Sequence, residues 1–186
     1  MEDKIIKAKE VILNGGVILY PTDTIWGIGC SAIIESAIKK IFKIKKRDNN
    51  KLLISLVSSI EMLERYVKSV PEYALEYLYD ESPTTIIYPK VKGFNHILYG
   101  KNESIAIRLV KDNFCKALID EINIPLISTS ANISGNPFPK KFKEIDKKII
   151  NEVDYVANFD DSMLKNSKPS RIIKVLLNGQ IELIRE

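Results

Sequence analysis

Ile5, Ala8, Val11 and Ile12 fall on one helical face and Gly15-Gly16 follow as a stop, so residues 3–14 are predicted to form an amphipathic helix. The apolar run "GVILY" reads as a strand closed by Pro21, and Thr22, Asp23 and Thr24 follow where side chains are free to face a ligand. Ala37, Ile38, Ile41 and Phe42 form the next helical stripe, and "KLLISLV", from Lys51 to Val57, reads as a buried strand. Ser58 and Glu61 have the spacing of a capping box opening a helix through Tyr66. A further helix is expected from near Pro71 through "EYALEYLY". "PTTIIYP" and "SIAIRLV" have the β-branched content of strands, "NFCKALIDEI" is helical, and "PLISTSA" is a strand with a hydroxyl-rich end. "RIIKVLLNGQIELIRE" reads as a hairpin around Asn178-Gly179. Helices and strands alternate without strict βαβ order, which predicts an α/β fold with a twisted sheet of both parallel and antiparallel strands. No repeat, linker or low-complexity segment is evident and the basic stretch 139–151 reads as a helix or ordered loop, so one domain over residues 1–186 is expected.

Composition narrows the class. Hydrophobic residues make up 45% and charged residues 28%, ordinary values for a soluble globular protein, and no apolar run approaches the roughly 20 residues of a membrane helix. The N-terminus is charged and periodic, unlike a secretory signal, so a cytoplasmic location is expected. Cys30, Cys115 and His96 are too few for a disulfide framework or a Cys/His zinc cluster. The cysteines read as reduced, buried small hydrophobes and His96 as a loop residue.

A net charge of +4 conceals a concentration: Lys39, Lys40, Lys43, Lys45, Lys46, Arg47 and Lys51 lie in one short span, which points to an anionic partner. A looser basic set runs from Lys140, Lys141, Lys143, Lys147 and Lys148 to Lys165, Lys168 and Arg171. Most of these read as a solvated face. Lys45 differs, because it lies four residues beyond Ile41 and seven beyond Ile38, on the buried stripe of its helix. With Arg47 and Lys51 just past the helix end it can form a polyphosphate site; cations there also complement the helix dipole, and spacing alone supports both readings.

Three other features carry chemistry. In "ISTSANISGNP", Ser128, Thr129, Ser130, Asn132 and Ser134 crowd a strand end and can cradle phosphate or carboxylate oxygens, although Ser, Asn and Gly are also what a turn requires. Arg108 shares a strand face with Ala106 and Val110 and needs an anionic partner, either a protein carboxylate or a ligand's. Ser170, before the hairpin, is a cap, a loop hydroxyl or a ligand contact. Neither a G-x-x-x-x-G-K-[ST] loop nor a G-x-G-x-x-G helix start is present, which excludes the Walker and dinucleotide-binding loops.

In their order and spacing, "PTDTIWGIG", "KIKKRDNNKLLI", "SIAIRLV", "STSANISG" and "KPSRIIKV" resemble the YrdC-like family, the threonylcarbamoyl-AMP synthases, over nearly the whole chain. The resemblance implies an α/β fold around a large basic cavity, in the short form without an extra C-terminal domain. It implies a reaction that joins L-threonine, bicarbonate and ATP into threonylcarbamoyl-AMP and pyrophosphate. That product feeds N6-threonylcarbamoyl modification of tRNA adenosine 37 through downstream threonylcarbamoyl-transfer proteins. By resemblance Lys45, Arg47 and Lys51 hold the triphosphate and neutralise departing pyrophosphate. Ser128, Ser130 and Asn132 contact the phosphates and the carbamoyl group, and Ser170 lies near the nucleotide. Thr22 and Thr24 line the amino-acid pocket, and Arg108 meets the threonine carboxylate. The threonine amine attacks bicarbonate or a carboxyphosphate-like species, and the resulting carbamate attacks the α-phosphate, with Mg²⁺ on the phosphates and Asp23 or substrate-assisted transfer as the proton acceptor. Trp26 stands where the family has tyrosine or phenylalanine, placing it in the expected pocket wall, and Arg171 stands where threonine or glutamate usually follows the serine.

Two other functions compete. A double-stranded RNA or tRNA binding module would use the same basic residues without catalysis, but Lys45 and Arg108 on apolar faces favour a buried small-anion site over a basic surface stripe. A carbamoyl-transfer enzyme with another acceptor is the second.

Overall fold

The computed structural model describes residues 1–48, 52–68, 70–157 and 168–186. Its framework is a nine-stranded sheet in the order β7-β1-β2-β6-β3-β5-β4-β8-β9, built from β1 (Ile18–Pro21), β2 (Trp26–Ser31), β3 (Ile54–Val57), β4 (Thr84–Tyr88), β5 (Ile105–Leu109), β6 (Leu126–Ser130), β7 (Tyr155–Val156), β8 (Arg171–Val175) and β9 (Ile181–Arg185). The pairs β1/β7, β3/β5 and β4/β8 are parallel and the others antiparallel, the mixed sheet expected from the irregular alternation of elements.

Among the described residues six α-helices accompany it: α1 (Glu2–Leu13), α2 (Glu35–Lys45), α3 (Ile60–Glu64), α4 (Glu72–Tyr79), α5 (Asn113–Ile122) and α6 (Lys147–Glu152). α1 buries Ala8 and Ile12 against α5 and the β1–β2 strands, and α5 adds Phe114, Cys115, Leu118, Ile119 and Ile122. Both cysteines are free and buried. His96 opens a single 3-10 turn, His96–Leu98.

The alternation of strands divides the sheet into two faces. Ile107 and Ile127 are fully buried in the core, while Ala106, Arg108, Ser128 and Ser130 line a cavity. Cross-strand register aligns Gly29, Ser128, Ile54, Ala106 and Ile87 in one row over five strands. Ser128, Ile54, Ala106 and Ile87 of this row line the cavity, so its floor is a continuous stripe of four strands rather than a collection of loops.

The structure corrects, completes or sharpens the sequence reading in four places. After the strand that Pro21 closes, Thr22 N–H bonds Ile25 O at 3.3 Å and the chain returns as β2, a strand the reading lacked because Gly27 and Gly29 lower its strand signal. Ser59, not Ser58, caps α3 by accepting from Met62 N at 3.1 Å, and α3 ends at Glu64. The two-residue β7 has too few positions to show a period. The basic stretch 139–151 resolves into a 3-10 turn, Phe142–Glu144, and α6, capped by Asp146.

Candidate functional site

The cavity encloses about 330 Å³ and is lined from both sides of the β1–β2 turn, from the loop after β6 and from the far sheet edge. Among the described residues its lining includes the guanidinium groups of Arg47, Arg108 and Arg185 and no carboxylate. Thr22, Thr24, Arg47, Arg108, Ser128, Ser130, Asn132 and Ser170 all contribute to it, so the structure brings together residues from all five of the quoted sequence segments.

At one end, the short turn between β1 and β2 is organised by Thr22. Its Oγ1 accepts from Thr24 N–H at 3.1 Å and Ile25 N–H at 3.2 Å, and it shares a 2.8 Å hydroxyl contact with Thr24. Arg108 projects from β5 into this turn. Its Nη1 donates to Thr24 Oγ1 at 3.2 Å and its Nη2 to Asp23 Oδ1 at 3.1 Å. The partner that its apolar strand demands is thus a protein carboxylate, and Nε remains buried and unpartnered among the described residues. Asp112 lies behind this pair at the start of α5, and its carboxyl is pushed up by burial, with the Asp23 charge adding to the effect and Arg108 opposing it.

At the other end, α2 closes with Lys46 in the left-handed region at φ 50°, ψ 47°, Arg47 N–H bonding Phe42 O and Lys46 N–H bonding Lys43 O. This double bond pattern reverses the chain and turns Arg47 towards the cavity, where its Nη2 donates to Leu52 O at 2.9 Å. Lys45, only 1% exposed, goes elsewhere. Its Nζ donates to Ser130 O at 2.5 Å, Asn132 O at 2.8 Å and Asn132 Oδ1 at 3.2 Å, and its own carbonyl accepts from Ser134 N–H at 2.8 Å. It does not line the cavity; it staples the loop after β6 to the end of α2. Burial, with help from the neighbouring Arg47 charge, pushes its pKa down to about 7. Within that loop Ser130 Oγ donates to Asn132 Oδ1 at 2.5 Å and Asn132 Nδ2 donates to Asn136 O at 2.6 Å.

Several placements differ from the sequence reading. Lys51 and Lys165 lie outside the described residues. Trp26 is fully buried and outside the cavity lining, its ring tilted 56° against that of Phe142 with centroids 5.2 Å apart, so it is not a pocket wall. Arg171 also turns away, donating to Asp80 Oδ2 at 2.5 Å and lying 5.0 Å over the Tyr77 ring. Ser170 shares a 2.8 Å hydroxyl contact with Thr85, and its carbonyl accepts from Arg185 Nη2 at 2.7 Å. Arg185 was hidden in the hairpin, where an arginine on an alternating strand gives no sign of what it faces. Gly27 and Gly29 were also missed: a Cβ on Gly27 would stand 3.2 Å from Ser128 Oγ, and one on Gly29 would stand 2.5 Å from Ile127 O and 2.9 Å from Tyr20 Cε1. Their spacing in a strand was the available signal.

A mixed sheet with a cavity on one face, lined by hydroxyl residues and arginines, defines an α/β protein with a candidate ligand site on its sheet. A family model described as "Telomere recombination", the Sua5/YciO/YrdC domain, matches residues 10–186, and the chain belongs to this family. It is 38% identical over 170 residues to a Methanocaldococcus jannaschii protein named "Putative threonylcarbamoyl-AMP synthase", covering 90% of this chain and 78% of that one. The structure of P. abyssi Sua5 complexed with L-threonine superposes with a TM-score of 0.84 at 28% identity over all of this chain and 54% of Sua5, so the chain spans about half of that protein. E. coli YciO shares the fold, with a TM-score of 0.82 at 23% identity, over all of this chain and 90% of YciO. Among the described residues no helix is long and apolar enough to cross a membrane.

Proposed function

We propose that this chain, acting as one domain over residues 1–186, is a threonylcarbamoyl-AMP synthase that joins L-threonine, bicarbonate and ATP and releases pyrophosphate. The observation that carries the reading is the pairing, in one cavity, of two distinct subsites: a hydroxyl-and-guanidinium corner at Thr22, Thr24 and Arg108, and an oxyanion wall at Arg47, Ser128, Ser130 and Asn132. The threonine complex of P. abyssi Sua5 and the name of the M. jannaschii relative support it.

In this mechanism the corner at Thr22 and Thr24 reads the threonine hydroxyl, and Arg108 attracts its carboxylate while Asp23 fixes the guanidinium. Ser128 donates to the phosphates and the carbamoyl group, Ser130 and Asn132 contact them beside it, Ser170 stands near the nucleotide, and Arg47, with Lys51, neutralises departing pyrophosphate. Lys45 serves by holding the loop that presents these groups. Mg²⁺ enters on the ATP phosphates as part of the substrate; with no carboxylate among the described lining residues, the protein's contribution there is hydroxyl and amide oxygens. Holding the threonine amine, bicarbonate and the α-phosphate in register lowers the barrier by orientation, and the fixed donors stabilise charge that builds on phosphate. The product serves tRNA modification through threonylcarbamoyl-transfer proteins, in the cytoplasm. Direct binding of tRNA or double-stranded RNA is the weaker reading, because the arginines face a cavity on the sheet.

The test is pyrophosphate release from ATP and bicarbonate with and without L-threonine, in the wild type, Arg47→Ala and Arg108→Ala. Threonine-dependent release that both substitutions abolish supports the synthase; no release from a folded wild type overturns it.

A further inference from the structure

Tyr20 is fully buried on β1, yet its phenol reaches across β2 to Ser128, a residue of the cavity lining. Its hydroxyl donates to Ser128 Oγ at 2.8 Å, and the two residues stand on strands separated by a third. Gly29 makes the crossing possible. It is paired with Ser128 in the register of β2 and β6, and a Cβ there would stand 2.9 Å from Tyr20 Cε1 and 3.0 Å from the phenol oxygen. Tyr20 also packs on Phe114 of α5, with ring centroids 6.1 Å apart, so the ring is held from below while its oxygen is aimed at the site.

The direction of this bond follows from satisfaction of polar groups. Among the described residues the phenol makes no other hydrogen bond, so its single proton either goes to Ser128 Oγ or is buried without an acceptor, at a cost of about 1–3 kcal/mol. Burial pushes the phenol pKa well up, which keeps that proton in place. Ser128, in contrast, lines the cavity and has a choice. Once its oxygen accepts from Tyr20, its own proton points to whatever occupies the cavity.

We propose that Tyr20 is a positioning residue that fixes Ser128 as a hydrogen-bond donor to a phosphate or carbamoyl oxygen of the bound ligand. A serine left to itself serves equally as donor and acceptor and must be oriented when the anion binds; the buried phenol imposes the donor state beforehand. The inference deepens the proposed function and rests on its placement of ATP at Ser128.

The experiment is a double-mutant cycle of Tyr20→Phe, Ser128→Ala and the pair, with melting temperature measured beside ATP affinity by calorimetry and threonine-dependent kcat and KM. Tyr20→Phe alone is expected to weaken ATP binding or kcat/KM by roughly fivefold, the worth of one ordinary hydrogen bond. In the Ser128→Ala background the same change is expected to have no further effect, because the donor it orients is gone. Losses that multiply, or wild-type behaviour of Tyr20→Phe, overturn the role. If Tyr20→Phe does not fold, 4-fluorophenylalanine at position 20 fills the phenol's space without a donor and the cycle is read with it. ATP binding that shows the coupling, in a protein without threonine-dependent turnover, overturns the synthase reading alone; multiplying losses in an active synthase overturn the Tyr20 role alone.

Discussion

Arg108 and Asp23 form a buried ion pair 3.1 Å apart, with side chains 5% and 8% exposed, at the corner of the cavity proposed to take threonine. The pair joins a central strand to the β1–β2 turn, so it belongs to the fold and to the site at once. A guanidinium that one carboxylate already fixes, and that faces a cavity with its remaining capacity, is pre-oriented for a second carboxylate.

Arg108→Ala leaves Asp23 buried without its partner. The expected outcome is a loss of about 3–5 kcal/mol in urea unfolding together with loss of threonine binding by calorimetry. Retention of full threonine affinity in a folded Arg108→Ala protein contradicts the assignment of the corner.

Lys45 supplies a pH signature. Its folded-state pKa of about 7 lies below the ordinary lysine value of about 10.4, so between those limits the unfolded chain binds the extra proton. Its contribution to stability therefore rises as pH increases from about 7 to 10.4 and is lost as pH falls through 7. Comparing denaturant unfolding of the wild type and Lys45→Met across this range isolates the effect: the difference between them should change with pH in that direction. A pH-independent difference contradicts it.

Gly29→Ala places a methyl group 2.5 Å from Ile127 O, a backbone atom that cannot yield without disturbing β6. A destabilisation of about 1–3 kcal/mol or more is expected from overpacking, read as a lower urea midpoint. An unchanged midpoint would show that the strands separate freely there.

Arg171 differs from these, since it turns away from the cavity to Asp80, Thr84 and the Tyr77 ring. Arg171→Thr is expected to lower the melting temperature slightly and to leave KM for ATP and threonine unchanged. A large rise in KM for ATP would place this residue at the nucleotide.

Much of this protein was written in its one-dimensional pattern. The helical stripes of α1, α2 and α5, the apolar runs of β3, β5 and β6, and the Asn178-Gly179 hairpin follow from local periodicity and turn chemistry, which act over a few residues. The segments around Thr22, Lys45, Arg108, Ser128 and Ser170 were visible as polar residues set against apolar runs, and the cavity gathers all of them except Lys45. What each side chain faces was decided only in three dimensions. Spacing showed that Lys45 lies on the buried face of α2, but the carbonyls that take its charge come from the loop some 85 residues later. Arg108 needed an anion, and the fold chose Asp23. Trp26 and Arg171 turned from the cavity, while Tyr20, Arg185 and two glycines entered its construction. Periodicity records which face of an element is buried; the partner across the sheet depends on strand order and register, which bring distant segments together by packing.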